Sequence, residues 1–188
     1  MWKRRAIQAA IGAATVLVVV ALLLVYLWRD RASLDNIAWP LAPEAGDGSL
    51  AATWLGVTTV LIDDGETQIL VDGFFSRPGL ADGILRRPVS NDAAIINFAL
   101  HEFGMRRLAA IIPAHSHFDH AMDVGAIANR SNASVVGSES TANIARGAGV
   151  PDDQIIIAGH GETYEFGQFK VRLLESRHGP IGWRGSVP

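Results

Sequence analysis

Residues 108–120 read LAAIIPAHSHFDH, an apolar run that breaks abruptly into a polar cluster. A short run without alternation, Leu108 to Ala114, predicts a strand covered on both faces. Directly after it, His115, His117, Asp119 and His120 place three imidazoles and a carboxylate within six residues. In extended backbone, positions two apart project to one side, so His115 and His117 can converge on one ion. Asp119 and His120 follow where the chain should turn into a helix, which aims them at a neighbouring point. Sites in α/β folds gather at the carboxyl ends of strands. Neutral imidazole with carboxylate suits Zn²⁺ best, with Mn or Fe possible at a mixed N/O site. The competing readings are a solvated polar loop, or a helix N-cap by Asp119.

Working outward, residues 51–62 (AATWLGVTTVLI) are β-prone, and Asp63-Asp64-Gly65-Glu66 separates them from TQILVD. That pattern predicts a hairpin whose second strand closes at Asp72-Gly73. A loop runs from Phe74 to about Val89, with Arg77, Arg86 and Arg87 in it. Ser90, Asn91 or Asp92 would cap a helix in which Ile96, Ala99, Leu100 and Phe103 share a face, ended by Gly104. Beyond the cluster the expected order is helix (121–130), strand (133–137), helix (139–147) and strand (154–158), then a hairpin about Gly167. An initial β section followed by alternating strands and helices indicates a layered α/β body. His101, inside a helix, and His160, in a turn, lack converging partners and are set aside as ligands.

The amino end has a different character. Residues 6–28 carry no formal charge, and at about 1.5 Å per residue such a helix spans roughly 35 Å, enough to cross a bilayer. Trp2, Tyr26 and Trp28 fall near its two ends, where aromatics favour the headgroup region. A cleaved signal peptide would have a shorter apolar region and a small-x-small site, whereas this run continues into WRDRASLDN. The reading is therefore an uncleaved signal anchor over 6–28, after a basic end at 1–5. A linker (29–50) with Pro40, Pro43, Gly46 and Gly48 leads to a body over 51–188. Lys3, Arg4 and Arg5 before the span favour a cytoplasmic amino terminus and an exported body, periplasmic or extracellular.

Composition narrows the partners. The 188 residues include 16 Lys+Arg and 19 Asp+Glu, and no cysteine. Disulfides, Cys-ligated zinc, iron–sulfur clusters and thiol nucleophiles are excluded within this sequence. Residues 1–31 carry a net +4 and the remainder −7, so the acidic body is a poor match for a phosphate backbone. Nucleic acid is not expected as a partner. The expected partners are the membrane, through 6–28, and a small-molecule or lipid-like substrate.

The HSHFDH cluster resembles the metal-binding signature of the metallo-β-lactamase superfamily. WLGVTTVLIDDGETQILVDGFFS resembles the opening hairpin of its lactonase-like branch, which includes ascorbate-6-phosphate lactonase and N-acyl-phosphatidylethanolamine phospholipase D. The likeness runs from about Ala52 to Gly179. It implies a four-layer αβ/βα sandwich, of which the first half and the start of the second are present here, preceded by the transmembrane helix. By position, it assigns His115 and His117 to a first metal, and Asp119 and His120 to a second. His178, in SRHGP, falls where a third ligand of the first site is expected. Asp72 matches an aspartate that supports the metal loop; a turn-forming Asp-Gly is the equal alternative.

Members usually supply a bridging aspartate and a final histidine from the second half, and no Asp or His follows His178 here. The expectation is a fragment of a longer protein, with a mononuclear site or lost activity as alternatives. The implied function is a membrane-anchored, zinc-dependent hydrolase using one or two ions. Metal-bound hydroxide, available near pH 7 because zinc lowers the pKa of water to about that value, would attack an ester, lactone, amide or phosphodiester. Asp119 would orient it as the catalytic residue. The rivals are a catalytically inactive tethered binding module and a true β-lactamase. A di-iron oxidoreductase is disfavoured, because related redox proteins carry glutamate where His117 stands.

Overall fold

The computed structural model describes residues 2–29, 49–79, 82, 85 and 87–176. The linker expected at 29–50 and the ligand expected at His178 therefore lie largely or wholly outside the described residues. The chain separates into two compact units, residues 1–41 and 42–188.

In the first unit, helix α1 (Trp2–Arg29) runs unbroken. Within its segment Trp2–Leu27 an 18-residue stretch has a mean hydropathy of 2.7, and none of that stretch is buried. By length and composition it can cross a membrane, and a signal sequence would meet the same description.

The second unit is built on a six-stranded sheet in the order β1 (Ala51–Gly56), β2 (Thr59–Asp63), β3 (Gln68–Val71), β4 (Leu108–Ile112), β5 (Ser134–Gly137), β6 (Ile155–Ile157). The first three strands pair antiparallel and the last four parallel. Parallel neighbours need crossovers, which helices supply: α2 (Ala93–Glu102) between β3 and β4, α3 (Phe118–Ala121) and α4 (Val124–Ser131) between β4 and β5, and α5 (Glu139–Gly147) between β5 and β6. A separate hairpin, β7 (Thr163–Phe166) with β8 (Phe169–Arg172), follows.

The helices share one face of the sheet. Leu61, Leu70, Ile111 and Val135 from the strands pack there with Ile96 of α2, Val124 and Ile127 of α4 and Ala145 of α5. On the opposite face, Ile69, Ala110 and Val136 meet Tyr164, Phe166, Phe169 and Val171 of the β7–β8 hairpin. Thus β4 is covered on both sides, as its unbroken apolar run predicts. The described residues form a helix layer, a mixed sheet and a small second sheet, an α/β arrangement.

Three local expectations are corrected. The stretch 51–62 is two strands rather than one: Gly56 (φ 98°) and Val57 (φ 53°) turn the chain in the left-handed region. Gly56 has no Cβ to clash there, and an added one would run into the Arg77 guanidinium. The helix expected at 121–130 is split into α3 and α4 at Met122-Asp123. Phe103 does not share the buried face of α2; it is the C-cap and 40% exposed. Gly104 (φ 58°) reverses the chain and brings Met105 into the core in its place.

Candidate metal centre

The register of the sheet decides which segments meet. Val71 pairs with Ile112 in the parallel β3–β4 ladder, so Asp72 and the segment 113–120 leave the same edge side by side. Val60 pairs with Val71, which brings the β1–β2 tip to that edge too. Three loops distant in sequence therefore surround one point.

His115 and His117 lie in a bend rather than in extended strand. Even so, His115 Nε2 stands 3.0 Å from His117 Nδ1. Two nitrogens bound to one tetrahedral zinc at its usual bond length would be roughly 3.3 Å apart, so this pair lies near that spacing and also within hydrogen-bond reach. A second pair follows: His120 Nε2 is 3.8 Å from Asp119 Oδ2. The His115 and His120 rings are 4.0 Å apart between centroids, which places the two pairs side by side. Among the described residues no three His, Asp or Glu side chains form a complete metal-holding group. The residues present fit a metal as two donor pairs, each open to further donors.

Asp72 lies behind the second pair and is 1% exposed. Its φ of 59° is left-handed, a conformation Asp tolerates better than most residues. That geometry turns the carboxylate back over the cluster. Its Oδ1 accepts from the backbone N–H of Ala114 at 2.7 Å, and Oδ2 is 2.8 Å from His120 Nδ1. A carboxylate accepts only, so His120 carries its proton on Nδ1 and presents the Nε2 lone pair to the site. Thr58 Oγ1, on the β1–β2 tip, lies 3.3 Å from the same Nδ1. Phe118 is exposed and meets the buried Phe74 edge-on.

Sequence reasoning missed two residues here. Thr58 was hidden within the supposed single strand 51–62. Asp123, fully buried, holds the segment after Asp72: its Oδ2 accepts from the N–H groups of Phe75 and Ser76, both at 2.7 Å. Its Oδ1 accepts from Ser76 Oγ at 2.6 Å and Asn91 Nδ2 at 2.7 Å. An Asp before an apolar run reads as a helix N-cap, and no sequence signal separates that from a loop clamp. His101 is an exposed residue of α2. His160 lies in a turn, where its Nδ1 accepts from the Glu175 N–H.

The sequence model described as the metallo-beta-lactamase superfamily matches residues 52–182. A UPF0173 metal-dependent hydrolase of Heliobacterium modesticaldum is 28% identical over 130 residues, which cover 69% of this chain and 46% of the relative. Another of that name, from Carboxydothermus hydrogenoformans, is 38% identical over 77 residues, 41% of this chain and 33% of the relative. The chain thus spans less than half the length of the curated relatives it matches. Among solved structures, metallo-beta-lactamase SMB-1 bound to 2-mercaptoethanesulfonate superposes with a TM-score of 0.50 at 18% identity, over 70% of this chain and 52% of that one. A likeness at that identity concerns the fold alone. The family match begins in the first hairpin and runs through the cluster at the ends of β3 and β4, and on that ground the chain belongs to the metallo-beta-lactamase superfamily.

Proposed function

We propose that this chain is part of a membrane-anchored, metal-dependent hydrolase, with zinc as the ion. The observation that carries the reading is the 3.0 Å approach of His115 Nε2 to His117 Nδ1, beside a His120 whose Nδ1 is taken by Asp72. His115 and His117 would hold one ion, joined by His178, and Asp119 and His120 a second. When bound, the metal supplies Lewis acidity toward a carbonyl or phosphoryl oxygen and lowers the pKa of water at the site toward neutrality.

The chain's own residues then have distinct tasks. Asp72 fixes the tautomer and ring plane of His120. Asp119, partly exposed in the first turn of α3, orients the attacking water and takes up its proton. Thr58 and Phe118 border the site, a polar and an apolar group against which a substrate would lie. The opening hairpin favours the lactonase-like branch, and with it an ester, lactone, amide or phosphodiester substrate. An α1 anchor with the body exported would make a lipid-like molecule accessible.

The test is made on the full-length protein. Metal analysis after reconstitution should give zinc bound through the cluster, and a panel of chromogenic esters, lactones, phosphodiesters and β-lactams should reveal turnover. His115→Ala together with His117→Ala should abolish metal uptake and turnover together. A protein that takes up no metal, or one whose turnover survives both substitutions, would overturn the proposal.

A further inference from the structure

We infer that Asp123 is a positioning residue for the metal centre, acting through the segment 73–76 and Asp72 to fix His120. The inference rests in part on the metal reading above, and its test separates the two.

Asp123 stands at the N-cap position of α4, yet its side chain makes no cap hydrogen bond. Its fully buried carboxylate takes four donors instead, all outside its own helix: two backbone N–H groups, a hydroxyl and an amide. Among the described residues no Lys or Arg forms an ion pair with it. A buried anion without a countercharge is tolerated only when hydrogen bonds replace its hydration, so these donors must be held in place.

The consequence reaches the cluster by a continuous set of bonds. The Asp123 N–H donates to the Gly73 carbonyl at 3.0 Å, and the Gly73 N–H donates to the His120 carbonyl at 2.8 Å. Next along the chain, Asp72 holds the His120 ring. The two short segments 72–76 and 120–123 are therefore fastened at both ends, by one buried carboxylate each. Gly73, in the middle, lies close against α4: a Cβ there would stand 3.0 Å from Ile127 Cδ1 and 3.1 Å from Val124 Cγ2. If Asp123 ceases to draw in Phe75 and Ser76, the segment loses its far fastening and Asp72 shifts against His120.

In the full-length protein, Asp123→Asn replaces one acceptor oxygen by an amide that faces N–H donors. Two readouts follow. In the metal-free protein, nitrogen NMR of His120 should change from a single Nδ1–H tautomer to a mixture with faster proton exchange. In chelator competition with zinc, affinity should fall about tenfold or more, the scale of lost support to a metal ligand. Ser76→Ala, which removes one donor to Asp123 and the acceptor of the Asp92 N–H but leaves both backbone N–H groups on the carboxylate, should move both readouts the same way by less; it carries the test if Asp123→Asn does not fold. Unchanged tautomer and zinc affinity in a variant with lowered melting temperature would reduce Asp123 to a packing role and overturn the inference. A wild-type protein that takes up no zinc would defeat the hydrolase reading, and the His120 tautomer would still decide the role of Asp123.

Discussion

Asp72 Oδ2, just past the end of β3, and His120 Nδ1, in the short helix that follows β4, are 48 positions apart in the chain and lie 2.8 Å from each other. The pairing sets which imidazole nitrogen faces the cluster. It also predicts the effect of a near-isosteric change. Asp72→Asn keeps an acceptor for the Ala114 N–H but can turn its amide toward His120 and favour the opposite tautomer. Zinc affinity of the full-length protein, measured by chelator competition, should fall about 10- to 100-fold. Affinity within twofold of wild type would show that this carboxylate does not govern the ligand.

The cluster itself was legible because its spacing is local: six consecutive residues carry three imidazoles and a carboxylate, directly after an apolar run. Asp72 was not legible from spacing, since Asp-Gly at the end of a strand is equally a turn, and only the β3–β4 register brings it to His120. Asp123 was hidden for a related reason, its sequence context being that of an ordinary helix cap. The β1–β2 turn was missed because Gly56 sits inside a run of β-branched residues and aromatics, where composition outweighs one residue. Phe103 continued the apolar period of α2, but the reversal at Gly104 gives its place in the core to Met105. What depends on period and local spacing could be read in advance; what depends on strand register could not.

A second, half-buried polar knot lies at the other end of β3. Burial opposes ionisation of Asp63, yet the Gly65 N–H, the Gln68 amide and the Arg107 guanidinium together hold its carboxyl below its ordinary value of 3.8. Gln68 Nε2 donates to Asp63 Oδ2 at 2.7 Å, and Arg107 approaches the same oxygen at 2.9 Å. The folded chain thus binds this proton more weakly than the unfolded one. The stabilisation is fully present above about pH 4 and is lost as pH falls through the lowered value. Asp63→Asn should cost about 1 kcal/mol in denaturant unfolding at pH 7, Arg107 being partly exposed. The gap from wild type should narrow as the pH falls below about 4; a gap independent of pH would assign the effect to packing.

Helices α4 and α5 approach so closely at Gly125 that an added Cβ would overlap the Cβ of Ala148. Both atoms are fixed to backbone, so neither can swing away as a long side chain would. Gly125→Ala gains helix propensity of about 1 kcal/mol, and at an open helix position it would stabilise. Here overpacking costs on the order of 1–3 kcal/mol and prevails. The melting temperature should fall, with the same substitution at Gly147, where a Cβ meets nothing within 4 Å, serving as the comparison. A rise at Gly125 would mean that the helices part more easily than their packing implies.

The apolar helix α1 separates two outcomes that composition alone leaves joined. As an uncleaved anchor, its 26-residue segment from Trp2 to Leu27 would keep the full-length protein in the membrane fraction after alkaline carbonate extraction, with Trp2 still present by mass spectrometry. Replacing Val18, Leu22 and Val25 by lysine would insert three charges into the span, each costing about 2.5–3.5 kcal/mol at the bilayer centre and less toward the ends. That variant should appear in the soluble fraction. Recovery of a mature chain lacking residues 1–28 would instead identify a cleaved signal sequence, and the body would then reach its substrate without a tether.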